Sequence, residues 1–419
     1  MYRAEQSIDY KTQNLQFIRE AIQKKINEGI KRFAIFPMGF WGKEVQTMLK
    51  EEFDIKPRAC FDNFIFHVQN IHPADTMKSL DLSDTVLLIA IENEKARGSL
   101  YQQAAMAVPD AFIEVIPLCN EEKKRIFEEQ EKVHLDFLCA GFHKCGTTSL
   151  QAALQKNENI YLPDVKETFF AMEVNEPSYK KFRQSYPDTR RNKKPGMLFG
   201  GIEPTYPGYA ASIYRYFGAD LKILFLVRNP AEALKSAFKM SIREIDGRGF
   251  ELVKKYKEIC PELMQEYIET EYKRFWYIDF IRLYERFYPE TQIKIVLAEE
   301  LIQNPSEQMD AIQEFIGLPE DLRTKYDVFP HANKGDTVFR DLGGAYVNHA
   351  LYMLRMCIDD ASLYLEIDEL RKKMFDFTTE DFDFTKYNDI WEMVYSRYYA
   401  DSVKALEERI GKSLEGIWY

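Results

Sequence analysis

Apolar residues along the first third of the chain alternate between two spacings. Residues 10–29 carry them at helical intervals, KRFAIF is a short continuous run, and the turn PMGFWG leads into an amphipathic stretch, GKEVQTMLKEEF. The next apolar run, PRACFD, ends at Asp62, and TVLLIAI (85–91) precedes the helical pattern EKARGSLYQQAAMAV. Strand and helix patterns keep alternating to about residue 116, which predicts a small parallel sheet covered by helices. EEKKRIFEEQEK (121–132) is almost wholly charged and has no sustained apolar face, so it predicts a solvated helical connector and a domain boundary. The alternation then restarts with HLDFLCA, a loop and a helix, followed by the buried-strand runs LKILFLV (221–227) and QIKIVLA (292–298). Between Lys239 and Tyr288 a stretch rich in Tyr, Glu, Lys and Arg predicts helices forming a flank or lid. No fixed-period repeat suggests a solenoid. The expected organisation is an α/β domain at 1–120, a connector at 121–132 and a second α/β domain at 133–419.

Composition agrees with two packed domains. The chain has 419 residues, 46% of them hydrophobic, with 30 Phe and 25 Tyr, which excludes a disordered chain. Its net charge of −11 supplies no general basic field for nucleic acid or an anionic membrane, so any anion site must be local. The six cysteines form no CxxC pair and have no His-rich surroundings, which points to reduced thiols and neither a zinc site nor a disulfide framework. MYRAEQSIDYKTQNLQF lacks the apolar core of a signal peptide, and no apolar run approaches a membrane span, so the cytoplasm is the expected compartment.

The chemistry concentrates where the second domain begins. LCAGFHKCGTTSL (138–150) reads as strand, loop and helix, with Gly141 and Gly146 allowing close backbone approach and N–H groups converging at a helix start. Lys144 adds a charge within the loop, while Thr147, Thr148 and Ser149 offer hydroxyls to an anion. An ordinary helix start beside an exposed lysine would read the same way. A kinase-type loop places lysine after the second glycine, as GxxxxGK[ST], whereas here lysine precedes it. Further on, KILFLVRNPAEALKSAF ends a strand at Arg228, turns at Asn229-Pro230 and presents Ser236 from the following helix. A planar guanidinium and a hydroxyl can meet on one phosphate, although a surface arginine beside an Asn-Pro turn is the ordinary alternative.

The order KxGTTxL after an apolar strand resembles the loop with which sulfotransferases hold the 5′-phosphosulfate of 3′-phosphoadenosine 5′-phosphosulfate (PAPS). RNPAEALKS is similar to the element of that family that grips the 3′-phosphate, its Arg and Ser eight residues apart. The resemblance implies PAPS contacts from Lys144, Cys145, Gly146, Thr147, Thr148, Ser149, Arg228 and Ser236, with Cys145 standing where many members carry Thr or Ser. It also implies a P-loop-type three-layer parallel sheet. A magnesium-binding NTPase would usually end the second strand in Asp, so Arg228 implies no metal. IYLPDVKETFFAM resembles the KExxFF element of carbohydrate sulfotransferases related to those of heparan sulfate, which makes Glu167 the general base and Lys166 an acceptor-side residue. Lys144 would then stabilise charge growing on the leaving oxygen. His143 is a rival base, and Lys166-Glu167 as a solvated loop pair ahead of two core phenylalanines is the ordinary alternative.

GGIEPTYPGY (200–209) is similar to the family segment GExSPxYL near the acceptor, matching Glu203, Thr205 and Tyr206, with the Ser-Pro order reversed to Pro204-Thr205. PHANKGDTVF resembles the loop that closes over the nucleotide, with Lys334 and Gly335 as its contacts, and the ending resembles the terminal helix and Leu-Trp finish of many such domains. The resemblance covers roughly 133–419. It implies transfer of a sulfuryl group to a hydroxyl or amine of an acceptor, a glycan in the first place, by in-line displacement. A P-loop kinase or NTPase and a non-catalytic nucleotide-binding scaffold are the rival classes.

In the front domain, IFPMGFWGKEV followed by Asp62 resembles a dinucleotide-binding fingerprint in which Pro37 takes the first glycine position, leaving Gly39 and Gly42. The stretch is similar to small Rossmann-like domains fused to bacterial sugar-modifying enzymes. Scaffolding or docking of a protein partner is the role expected of it.

Overall fold

The computed structural model describes residues 10–65, 70–119, 132–164, 167–168, 170, 176–186, 196–330, 337–358 and 360–419. The connector at 121–131, Lys166, Lys334 and Gly335 therefore lie outside the described residues. The chain forms two compact α/β units. One takes in the described residues of Met1–Lys132 together with Gly208–Ala219 and Asp279–Pro289, and the other takes in Val133–Pro207, Asp220–Ile278 and Glu290–Tyr419.

The first unit is built on five parallel strands, β1 (Phe33–Phe36), β2 (Ala59–Asp62), β3 (Ile71–Pro73), β4 (Val86–Ile89) and β5 (Ile113–Val115), in the order β3-β2-β1-β4-β5. That is the order of one wing and the centre of a doubly wound sheet. The strands β1 and β4 are buried on both faces, which is why they read as unbroken apolar runs. The helices Tyr10–Asn27 and Phe40–Glu51 pack Ile18, Ile22, Trp41, Val45 and Leu49 against that sheet. Two later segments of the chain join this unit through their cations. Arg215 donates to Pro117 O at 2.5 Å and to Gln13 Oε1 at 2.6 Å, and Arg286 pairs with Asp110, which also accepts from the buried Tyr101 hydroxyl.

The degenerate fingerprint resolves into structural roles. A Cβ on Gly42 would stand 2.1 Å from Pro37 O, so the helix lies against the turn at a distance only glycine permits. Gly39 has open space around it. Asp62 is 4% exposed, and its carboxylate accepts from the N–H groups of Met38 at 2.9 Å, Phe64 at 2.7 Å and Ile65 at 2.9 Å. Its oxygens thus tie the Pro37 turn to the end of β2. Gly42→Ala is expected to destabilise the first unit by about 3 kcal/mol, the upper end of overpacking costs. Gly39→Ala should cost well under that, and paired thermal melts of the two variants check the contrast.

The second unit also has a five-stranded parallel sheet. Its strands are β6 (Phe137–Gly141), β7 (Ile160–Tyr161), β8 (Leu198–Ile202), β9 (Lys222–Val227) and β10 (Ile293–Leu297), ordered β10-β9-β6-β8-β7. Helices lead out of the carboxyl ends of β9 and β10, at Pro230–Glu244 and Ala298–Gln303, and out of the loop after β6, at Thr147–Leu154. The stretch after Lys239 is helical as expected, with Gly247–Tyr256 and Pro261–Glu271 following in this unit, while the next helix, Tyr277–Glu285, has most of its length in the first unit. A short antiparallel pair, β11 (Thr337–Phe339) with β12 (Thr379–Asp381), brackets the helices Leu342–Met356 and Ala361–Thr378. No helix among the described residues is long and apolar enough to cross a membrane.

Candidate active site

In the second unit the candidate groups gather at one edge of one sheet. Strand β6 pairs with β9 on one side and β8 on the other, all parallel, so the segments that follow them leave from neighbouring carboxyl ends. These ends carry the Lys144 loop after β6, Arg228 after β9 and Glu203 after β8. Two hydrogen bonds fasten the three together: Phe142 N–H donates to Leu226 O at 2.9 Å, and Glu203 N–H to Cys139 O at 2.8 Å. In open α/β sheets this is the edge where ligands bind.

The cradle's shape comes from its backbone. Lys144 and Gly146 both adopt left-handed conformations, at φ +64° and +92°, so the loop doubles back before the helix Thr147–Leu154 begins. Gly146, at the N-cap position, has no side chain with which to cap that helix. A glycine-led helix start next to a lysine is an anion-binding arrangement, through directed N–H groups and the helix dipole. Gly146 has its nearest prospective Cβ contact at Phe329, 3.9 Å away, so its left-handed φ rather than crowding requires glycine. The Thr147 and Ser149 side chains are buried, and Thr148 is exposed.

Cys145 points elsewhere. It is fully buried, its thiol lies 3.5 Å from His143 O and 3.4 Å from the Tyr277 hydroxyl, and burial pushes its pKa up to about 12. The Tyr277 ring stacks obliquely on Phe142 at 4.5 Å, and burial raises its hydroxyl far above the ordinary phenol value. Cys145 therefore seats the loop on the core through its side chain, leaving its backbone for the nucleotide contact that the family resemblance implies. Tyr277 belongs to the stretch that the sequence predicts as helices of a flank or lid, and no local motif marks it.

The Arg228 turn is held from three directions. Asn229 caps the helix Pro230–Glu244 by accepting from Ala231 N–H at 3.0 Å, its amide donates to Trp418 O at 2.7 Å, and its own N–H donates to Glu299 Oε1 at 3.0 Å. This fixes the place from which Arg228 departs. The guanidinium itself is partly exposed and only 3.9 Å from Glu232, a loose pair one helical turn away. Ser236, also partly exposed, follows two turns into the same helix. Glu299 and Trp418 thus join the turn, the latter by a link invisible to sequence because it spans 189 residues.

On the β8 side Glu203 is 4% exposed and engaged with Thr168 rather than open to an acceptor. Both carboxylate oxygens accept from Thr168 N–H at 3.1 Å, and Oε1 accepts from Thr168 Oγ1 at 2.7 Å. Tyr206, 2% exposed, reaches the same Thr168 hydroxyl at 3.3 Å. Thr205 Oγ1 is buried without a hydrogen-bond partner among the described residues. Glu167 itself is half-buried and adopts a left-handed backbone at φ +61°, and Phe170 two positions past Thr168 anchors the segment by stacking on Phe182 at 4.7 Å.

Burial raises the Glu203 pKa to about 7, against the lowering effect of its Thr168 hydrogen bonds, with the nearby Glu167 charge raising it further and Lys181 lowering it. For a carboxyl raised in the folded state, the contribution to stability is complete below its unfolded value of 4.5 and is lost as pH climbs through about 7. The span corresponds to on the order of 3 kcal/mol. Glu203→Gln should flatten the fall in unfolding free energy across that window, as read by denaturant titrations at a series of pH values.

The sequence of residues 134–329 matches the model of the Sulfotransferase domain. The chain contains a sulfotransferase domain. Among solved structures, a sulfotransferase from Alicyclobacillus acidocaldarius is 21% identical over 48% of this chain and 87% of its own, with a TM-score of 0.36. The sulfotransferase domain of the Synechococcus PCC 7002 olefin synthase is 14% identical over 59% and 96%, with a TM-score of 0.30. A mouse sulfotransferase complexed with PAP is 15% identical over 48% and 64%, with a TM-score of 0.31. No match is found among curated proteins. The sulfotransferase match spans β6, the cradle, β8, β9 with Arg228, and β10, so every described candidate group named above except Trp418 falls inside it. Among the described residues no group of three or more His, Cys, Asp or Glu side chains could hold a metal ion.

Proposed function

We propose that the second unit transfers the sulfuryl group of PAPS to a hydroxyl or amine of a carbohydrate acceptor, with Glu167 as general base. The observation that carries this is the convergence of the Lys144 cradle, the Arg228 turn and the Glu167–Thr168–Glu203 group at the ends of three adjacent parallel strands. The glycine-led helix start at Gly146 suits the 5′-phosphosulfate, and Arg228 with Ser236 suits the 3′-phosphate. In the transfer, the acceptor oxygen or nitrogen attacks sulfur in line with the bond to the nucleotide phosphate. That S–O bond breaks, 3′-phosphoadenosine 5′-phosphate (PAP) departs, and the acceptor's proton passes to the Glu167 carboxylate. Lys144 offsets the charge that grows on the leaving oxygen.

The carbohydrate assignment is supported by the similarity of Lys166-Glu167 and its two phenylalanines to the carbohydrate sulfotransferase element. Incubation with radiolabelled PAPS and a panel of saccharides, small alcohols and amines tests it. Label on saccharides is expected. Label on small alcohols or amines alone would leave sulfuryl transfer standing and remove the glycan. The first unit, with Asp62 and Gly42 engaged in its own turn, serves in this account as a scaffold or a dock for a protein partner.

A further inference from the structure

Thr168 is bonded to Glu203 three times over and follows Glu167 directly in the chain. Glu167 is held at φ +61°, a conformation costly for a residue with a Cβ, so its neighbours must over-determine it. Glu203 is suited to that task. Its own N–H is bonded to Cys139 O in β6, two residues before the cradle's Gly141, so the carboxylate that grips Thr168 is referenced to the sheet that carries the nucleotide loop. Being 4% exposed, with both oxygens taken, it is shielded from an acceptor. Tyr206 closes the same hydroxyl from a second side, at 3.3 Å.

The geometry points to Glu203 as a positioning residue, which acts through Thr168 to fix the Glu167 carboxylate relative to the Lys144 cradle. This rests on Glu167 being the base. It changes the part played by Glu203 and Tyr206 from contacts with the acceptor to supports behind the base. A shift of about 1 Å in a reacting group can cost on the order of 10²-fold in rate, and removing the Glu203 carboxylate releases the three bonds that Thr168 makes to it.

A double-mutant cycle on the full chain separates positioning from mere support of the fold. The readout is release of labelled sulfate from PAPS with water as acceptor, and calorimetric binding of PAP reports on the intact nucleotide site. Glu203→Ala is expected to lower kcat on the order of 10²-fold with KM for PAPS and PAP affinity unchanged. Thr168→Val should act in the same direction. Glu203→Gln, which keeps an oxygen able to accept from Thr168, should fall between Glu203→Ala and the unsubstituted chain, and it carries the test if the alanine variant does not fold. In a Glu167→Gln background, Glu203→Ala should cost little more, because the base it positions is already gone. Equal losses in both backgrounds, or no loss of kcat from either Glu203 variant, would overturn the positioning role while leaving Glu167 as base. Full turnover by Glu167→Gln would instead remove the base itself, and the positioning role with it.

Discussion

Replacing Glu167 by Gln is expected to lower sulfuryl transfer by about 10²–10⁴-fold, the range that a positioned general base contributes. The amide keeps the size of the side chain and loses its ability to take a proton, so PAP affinity and thermal stability should stay as they are. The half-buried position of Glu167, on a segment tied down at Thr168 and Phe170, makes a collapse of the loop an inadequate source for such a loss. His143→Ala, by contrast, should retain turnover, since its neighbour Cys145 seats the loop on Tyr277 independently of the imidazole. Steady-state rates for the two variants with labelled PAPS check the pair, and the reverse ranking would move the base to His143.

Lys144→Ala is expected to cost about 10²–10³-fold in kcat, comparable to removing one pre-oriented donor to a developing negative charge. The left-handed backbone at Lys144 is part of the loop's turn, and alanine can occupy it with the same strain, so the loop should persist. Nucleotide affinity should fall far less than kcat, because backbone N–H groups at the Thr147 helix start and Arg228 remain. Single-turnover rates beside PAP binding curves distinguish the two effects. A loss confined to binding would make Lys144 an anchor and leave the leaving-group charge to another residue.

Strand and helix order was legible wherever burial makes a run continuous, as in β1, β4, β6 and β9. It was not legible at β8, whose LFGGI carries two glycines. Gly200 is needed because a Cβ there would meet the Phe137 ring at 2.1 Å, a requirement of the facing strand that no local propensity expresses. The edge strand β3, three residues ending in Pro73, was hidden for lack of length.

In the site, the cradle and the Arg228 turn were readable because their chemistry is local: a glycine, a lysine and hydroxyls at fixed spacing. What sequence could not supply were the distant partners. Cys145 meets Tyr277 across 132 residues, Asn229 meets Trp418 across 189, and Thr168 meets Glu203 across 35. The same limit applied in the front domain, where Asp62 belongs by resemblance to a degenerate dinucleotide-binding fingerprint and the three backbone N–H groups that meet its carboxylate could not be read from the sequence. Motifs announced which residue types were present, and tertiary hydrogen bonds decided which of them face outward.

The central claim, sulfuryl transfer from PAPS by the Lys144 cradle, is tested most directly by following radiolabelled sulfate from PAPS into an acceptor pool of saccharides, small alcohols and amines, with the unsubstituted chain and Lys144→Ala side by side. The account predicts label in the acceptor pool and PAP as co-product with the unsubstituted chain, and at least about 10²-fold less of both with the variant. Equal transfer by the two proteins, or PAPS bound tightly by both and consumed by neither, would contradict it.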